Sequence, residues 1–180
     1  MAEEPGREEA LAAKWPFKGR LIRVRVERVR LPNGGQTVRE VVEHPGAVAI
    51  LPLLDKERVV MVRQYRRPVN QVLLEVPAGT LRAGERPEEC AHRELVEETG
   101  YRAAKLRWLC SFHPSPGYST ETMHIYLAEE LVQVGQKTEP DESITVSVLP
   151  LKAAIMMAQR GELKDAKTII ALLLAQHLLS

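Results

Sequence analysis

Residues 79–101 read GTLRAGERPEECAHRELVEETGY, and within them Glu94, Glu97 and Glu98 stand at i, i+3 and i+4. At 3.6 residues per turn, that spacing sets all three carboxylates on one helical face. Pro87 in the first turn and Gly100 as the stop predict the helix over Pro87–Thr99. Three like charges so close together repel one another and destabilise a bare helix.

A solvated acidic face is the commonplace account of such a pattern. The sharper account is that divalent cations neutralise the crowding. Carboxylate oxygens are hard ligands suited to Mg²⁺ or Mn²⁺, and Mg²⁺ typically combines a few carboxylates with phosphate oxygens. Arg93 lies beside the three acids and is placed to pair with Glu85 at the helix start, locking the preceding loop. Gly79 and Gly84 allow that loop to run tightly enough for a backbone carbonyl, such as that of Ala78, to reach the ion. The chemistry would be Lewis-acid activation of a phosphoryl oxygen and of a bound water.

The rest of the chain reads as one compact α+β domain over residues 21–180, after an N-terminal lead-in over 1–20 that is mobile or a short helix. Alternation over residues 21–30, the turn residues Pro32-Asn33-Gly34-Gly35, and a second strand over 37–42 predict an antiparallel hairpin. Residues 47–54 are a continuous apolar run, as in a buried central strand. Further strands are expected at 59–63, 72–76, 122–128 and 144–149, and two helices at 151–160 and 165–179.

Basic and acidic residues number 25 and 24, a net charge of +1. That balance provides no field for steering nucleic acid, so a phosphate ligand must be held locally. Cys90 and Cys110 have no zinc-type spacing, the N-terminus has no apolar signal core, and residues 169–179 are too short an apolar run to span a bilayer. A soluble cytoplasmic protein, with neither membrane nor nucleic acid as partner, is the expectation.

The stretch 79–101 resembles the signature of the Nudix hydrolases: G, five residues, E, seven residues, R-E, an aliphatic residue, any residue, E-E, any residue, G, then an apolar residue. Gly79, Glu85, Arg93, Glu94, Leu95, Glu97, Glu98 and Gly100 fill it at the required spacing, with Tyr101 where an aliphatic residue is usual. The flanks Arg63-Gln64-Tyr65-Arg66-Arg67-Pro68 and Leu74-Glu75-Val76-Pro77-Ala78-Gly79 are similar to the ADP-ribose pyrophosphatase branch. So is Pro116, fifteen residues past Tyr101.

The resemblance implies an α/β/α sandwich with a mixed sheet and an N-terminal antiparallel hairpin, and a homodimer formed through the N-terminal strands. It implies Mg²⁺- or Mn²⁺-dependent hydrolysis of ADP-ribose to AMP and ribose 5-phosphate. The metal ligands would be the Ala78 carbonyl, Glu94 and Glu98, with Glu97 ligating a further ion or orienting the attacking water. Gly79, Glu85, Arg93 and Gly100 would be structural. Arg66 would contact the substrate phosphates, Arg39 and Glu40 the nucleotide, and Pro116 would mark the substrate loop.

A loop carboxylate is also expected among Glu139, Asp141 and Glu142, with Glu142 the first choice as general base or extra ligand. The family often has an acid where Thr145 stands. Rivals are the same reaction on ADP-glucose, GDP-mannose, FAD or a dinucleoside polyphosphate, and a non-catalytic ADP-ribose-binding module. A purely structural acidic helix is a third. His92, His113, His124, Cys90 and Tyr65 read first as packing or surface residues, and Trp15 and Trp108 as core, contact or base-stacking residues.

Overall fold

The computed structural model describes residues 6–137 and 143–178. The chain forms two compact units, the first comprising residues 1–46 and 113–122, the second residues 47–112 and 123–180.

The first unit is built on a three-stranded antiparallel sheet in the order β1 (Glu9–Lys18), β2 (Arg23–Arg30), β3 (Gln36–Glu43). The hairpin forms as expected. Gly34 sits at φ 85°, where only glycine is at ease, and Leu31 N–H donates to Gly35 O at 2.8 Å to close the turn. Segment 113–122 runs beside β3: Val42 N–H donates to Tyr118 O and Thr120 N–H to Val42 O.

Where it is described, the lead-in is a strand and not a helix, with β1 paired to β2 along its length. Its Glu-Ala-Leu-Ala-Ala start favours helix, but pairing with a neighbouring edge overrides local propensity. Only Leu11 of β1 is even half-buried, and its pairing slips at two places, so no alternation marks the strand in the sequence.

The second unit holds two sheets. One is antiparallel, β10 (Ile144–Pro150), β5 (Arg58–Arg66), β6 (Gln71–Glu75). The other is mixed, β7 (Ala78–Thr80), β4 (Ala47–Pro52), β9 (Met123–Gln133), β8 (Tyr101–Phe112), with β4 and β9 parallel.

Strand β4 is buried on both faces, which is why it reads as an unbroken apolar run. Ala49 and Leu51 point into one core with Ile125 and Leu127 of β9, Leu151 and Ala154 of helix α2 (Leu151–Gln159), and Leu172 of helix α3 (Ala166–Leu178). Val48 and Ile50 point the other way, to Cys90, Ala91 and Leu95 of helix α1 (Pro87–Thr99). A sheet with helices on both faces is the expected α/β/α layering.

Besides β1, two strands escaped the sequence reading. β7 is three residues long and punctuated by Gly79, so it looked like loop. β8 has charged and small residues throughout and a bulge between Trp108 and Cys110 that breaks its alternation.

Candidate active site

The site is assembled where β7 meets α1. β7 pairs antiparallel with β4, Ala49 opposite Ala78 and Val48 opposite Gly79, and Ile50 N–H donates to Pro77 O at 2.9 Å. The residues around Gly79 are therefore a sheet edge, not the free loop expected. α1 runs over the same residues, 87–99, that the sequence predicts. Pro87 stands at its first position and Gly100 ends it at φ 74° in the left-handed region. Cys90, Ala91 and Leu95 bury one side of α1 and turn the acidic side toward β7.

The Glu94 carboxylate packs against the Gly79 backbone. A Cβ on residue 79 would stand 1.9 Å from Glu94 Cδ and 2.0 Å from its Oε1. Glycine is needed here for close approach. Glu98 is 3% exposed, and its Oε2 accepts from Ala78 N–H at 3.0 Å. So Ala78 touches the acidic helix through its amide, and two of the three acids are drawn onto β7.

Arg93 is the hub. Its Nε donates to Glu85 Oε1 at 2.8 Å and its Nη2 to Glu85 Oε2 at 2.9 Å, so the pairing that the sequence suggested is two-pronged. Nη1 donates to Glu94 Oε1 and, at 2.9 Å, to Glu97 Oε2, and Nη2 also reaches Thr80 O at 3.3 Å. The Arg93 guanidinium, helped by Arg82 N–H, holds the Glu85 carboxyl down to about 2. Glu97 also faces Arg82, 3.7 Å away. Cys90, which looked like packing, is buried and lies 3.6 Å from Thr80 O, and its burial pushes the thiol up to about 12. Burial of this kind suits packing rather than nucleophilic chemistry. Among the described residues, no three acid, histidine or cysteine groups stand together as a metal cage: Glu94 and Glu97 turn to Arg93, and Glu98 to the Ala78 amide.

Arg66, at the end of β5, is half-buried and makes a two-pronged pair with Glu75, Nε and Nη2 each at 2.8 Å. The sequence reading missed this partner. The available signal was a glutamate inside an otherwise apolar strand segment. Glu98 adds to the charges that raise the Arg66 pKa, after the Glu75 hydrogen bonds, which places Arg66 within electrostatic reach of the acidic helix.

Arg39, Glu40 and Pro116 belong to the other unit. There the Arg39 fork is taken by Glu8, at 3.0 and 2.5 Å. Glu139, Asp141 and Glu142 lie outside the described residues. Just before them, Lys137 N–H donates to Glu97 O at 3.2 Å and Gln136 Nε2 to Glu98 O at 2.7 Å, tying the segment to the end of α1. Thr145 sits on β10 opposite Arg63.

Comparisons with known proteins identify the family. The NUDIX domain model matches residues 43–172. The chain belongs to the Nudix family. This Nudix chain is 44% identical to an ADP-ribose pyrophosphatase of Bacillus subtilis (strain 168) over 92% of its own length and 90% of the relative's. It is 39% identical to a methanol dehydrogenase activator of Bacillus methanolicus, covering 91% and 90% of the two chains. A solved structure described as an ADP compounds hydrolase superposes with a TM-score of 0.86 at 26% identity, covering 99% of this chain and 97% of that one. Among the described residues, no helix is long and apolar enough to cross a membrane.

Proposed function

We propose that this chain hydrolyses the pyrophosphate bond of ADP-ribose, giving AMP and ribose 5-phosphate, with Mg²⁺ or Mn²⁺ as cofactor. The observation that carries the reading is the seating of Glu94 on the bare backbone of Gly79 beside Glu98 on the Ala78 amide. It gathers hard oxygen donors at one sheet edge, a donor set that fits Mg²⁺ or Mn²⁺. Glu94, Glu98 and the Ala78 carbonyl would hold the ion. Bound there, it supplies Lewis-acid polarisation and neutralises charge on the leaving phosphate.

The chain's own residues do the rest. Glu97 orients the attacking water, and Arg66 binds the substrate phosphates. Arg93 keeps Glu85, Glu94 and Glu97 in register before substrate arrives. Glu142 takes the water's proton. The chain acts in the cytoplasm, as a homodimer paired through the N-terminal strands. ADP-ribose is favoured over other nucleoside diphosphate derivatives by the relative from Bacillus subtilis, with its near-complete coverage.

The test is a Mg²⁺-dependent panel of ADP-ribose, ADP-glucose, GDP-mannose, FAD and a dinucleoside polyphosphate, with products identified. ADP-ribose should give the highest kcat/KM, with AMP and ribose 5-phosphate as products. A higher value on another member reassigns the substrate, and binding without turnover makes the chain a binding module. Glu98→Gln keeps an oxygen for the Ala78 amide but loses the charge. It should abolish turnover while melting close to the parent.

A further inference from the structure

Glu75 is 1% exposed, the most deeply buried acid among the described residues, and no step described so far uses it. Taking an ionised carboxylate out of water costs several kcal/mol unless partners offset it. Glu75 has two. Arg66 grips it with two hydrogen bonds from β5, and Lys167 Nζ, on the first turn of α3, bonds its Oε2 from the other side. Burial pushes the Glu75 carboxyl up, but these two cations outweigh it and hold it below the ordinary range, so it stays charged.

Lys167 also donates to Asp165 Oδ1 at 2.9 Å. Asp165 Oδ2 in turn accepts from Thr168 N–H and the Thr168 hydroxyl, capping α3. The Thr168 hydroxyl oxygen accepts from Val76 N–H at 2.9 Å, fastening the exit of β6 to α3 two residues before Ala78.

Two consequences follow for Arg66. Its Nε and Nη2 are fixed by Glu75, and Nη1 has no hydrogen-bond partner among the described residues, so one edge of a rigid guanidinium stays available for an anion. Charge decides how strongly. Arg66 and Lys167 balance Glu75 and Asp165, so these four groups sum to zero; without Lys167 they sum to −1, and Glu98, which also acts on Arg66, adds to the negative side. A phosphate approaching Arg66 would then meet net repulsion.

We propose that Glu75 and Lys167 are positioning residues for phosphate binding, Glu75 by fixing the Arg66 guanidinium and Lys167 by cancelling the charge that fixing introduces. The proposal rests on Arg66 being the phosphate contact.

The experiment compares Glu75→Gln, Lys167→Met, Lys167→Arg, Arg66→Ala and the double variant Glu75→Gln/Arg66→Ala. The readouts are Kd for α,β-methylene ADP-ribose with Mg²⁺, KM, kcat and Tm. Lys167→Met should raise Kd and KM by about tenfold, the scale of one lost charge-assisted hydrogen bond; Glu75→Gln should raise them too, because the loosened Arg66 guanidinium outweighs the negative charge removed, with kcat changed less than about threefold in both. In the Arg66→Ala background, Glu75→Gln should add less than about twofold; with Arg66 present, Lys167→Arg, which keeps the charge, should show little of the loss seen in Lys167→Met.

A fall in Tm with Kd unchanged, or a Glu75→Gln effect as large without Arg66 as with it, overturns the proposal. Should Glu75→Gln fail to fold, the Lys167 pair decides alone, since that side chain is less buried. A parent that binds the analogue with this pattern but hydrolyses nothing sinks the catalytic reading and leaves the positioning role standing. A parent that neither binds nor hydrolyses sinks both.

Discussion

The carboxylate of Glu94 occupies the space that a side chain on Gly79 would need, with Glu94 Cδ 1.9 Å from where a Cβ would stand. The clash is with the far end of a flexible side chain, not with backbone. Gly79→Ala should therefore cost only about 1–2 kcal/mol of stability, at the mild end of overpacking. The same shift moves a proposed cation ligand, and a misplacement of about 1 Å can cost about a hundredfold in rate. We expect kcat on ADP-ribose to fall by about that factor while Tm drops a few degrees. Equal kcat in parent and variant would remove Glu94 from the chemistry.

Arg93 makes the acidic helix tolerable in this structure by bridging Glu85, Glu94 and Glu97. Arg93→Met would leave three partly buried carboxylates without that cation. A loss of about 3 kcal/mol is expected in chelator, as when one partner of a buried pair is removed. If cations sit among these acids, millimolar Mg²⁺ should raise Tm more in the variant than in the parent. An equal shift in both proteins would mean that the ion binds elsewhere.

Glu85 sets part of the acid sensitivity. Arg93 lowers its carboxyl from 4.5 to about 2, so the folded state favours the ionised form. Stability from this pair is complete above the unfolded value near 4.5 and drains away as pH falls toward about 2. Glu85→Gln should be less stable at neutral pH and show a flatter profile across that window. Urea midpoints measured from pH 6 to pH 2 check this; parallel profiles would show that Glu85 does not titrate in the pair.

Much of this site was legible because its signal is local. Helix α1, its Pro87 start, its Gly100 stop and the Glu85–Arg93 pair all lie within 23 consecutive residues, where spacing alone fixes direction. β4 was legible because burial on both faces leaves no polar position. What escaped depends on distant partners. Glu75 and Lys167 are 92 residues apart in sequence, and Arg39 finds Glu8 from 31 residues away. β1 carries too little buried surface for periodicity to mark it, because hydrogen bonding to β2 rather than a packed face makes it a strand, and in β8 the bulge at Trp108 breaks the alternation of the residues that do pack.

Two glycines in the left-handed region allow a comparison that separates backbone strain from crowding. Gly84 lies at φ 77° with nothing within 4 Å of an added Cβ. Gly84→Ala should cost only the conformational penalty, about 1–2 kcal/mol. Gly100 lies at φ 74°, but there a Cβ would stand 2.7 Å from Gln136 N and 3.0 Å from the carbonyl carbon of Gly135. Those atoms are backbone, in the segment that bonds the Glu97 and Glu98 carbonyls, so they cannot move without loosening the end of α1. Gly100→Ala should therefore lose about 3–4 kcal/mol, the same penalty plus overpacking. It should also lower kcat, since Glu97 and Glu98 stand on that last turn, whereas Gly84→Ala should be the milder change in both. Urea unfolding of the two variants, with kcat measured alongside, checks the contrast. Equal losses would mean that the 134–137 segment yields freely and does not hold the acidic helix in place.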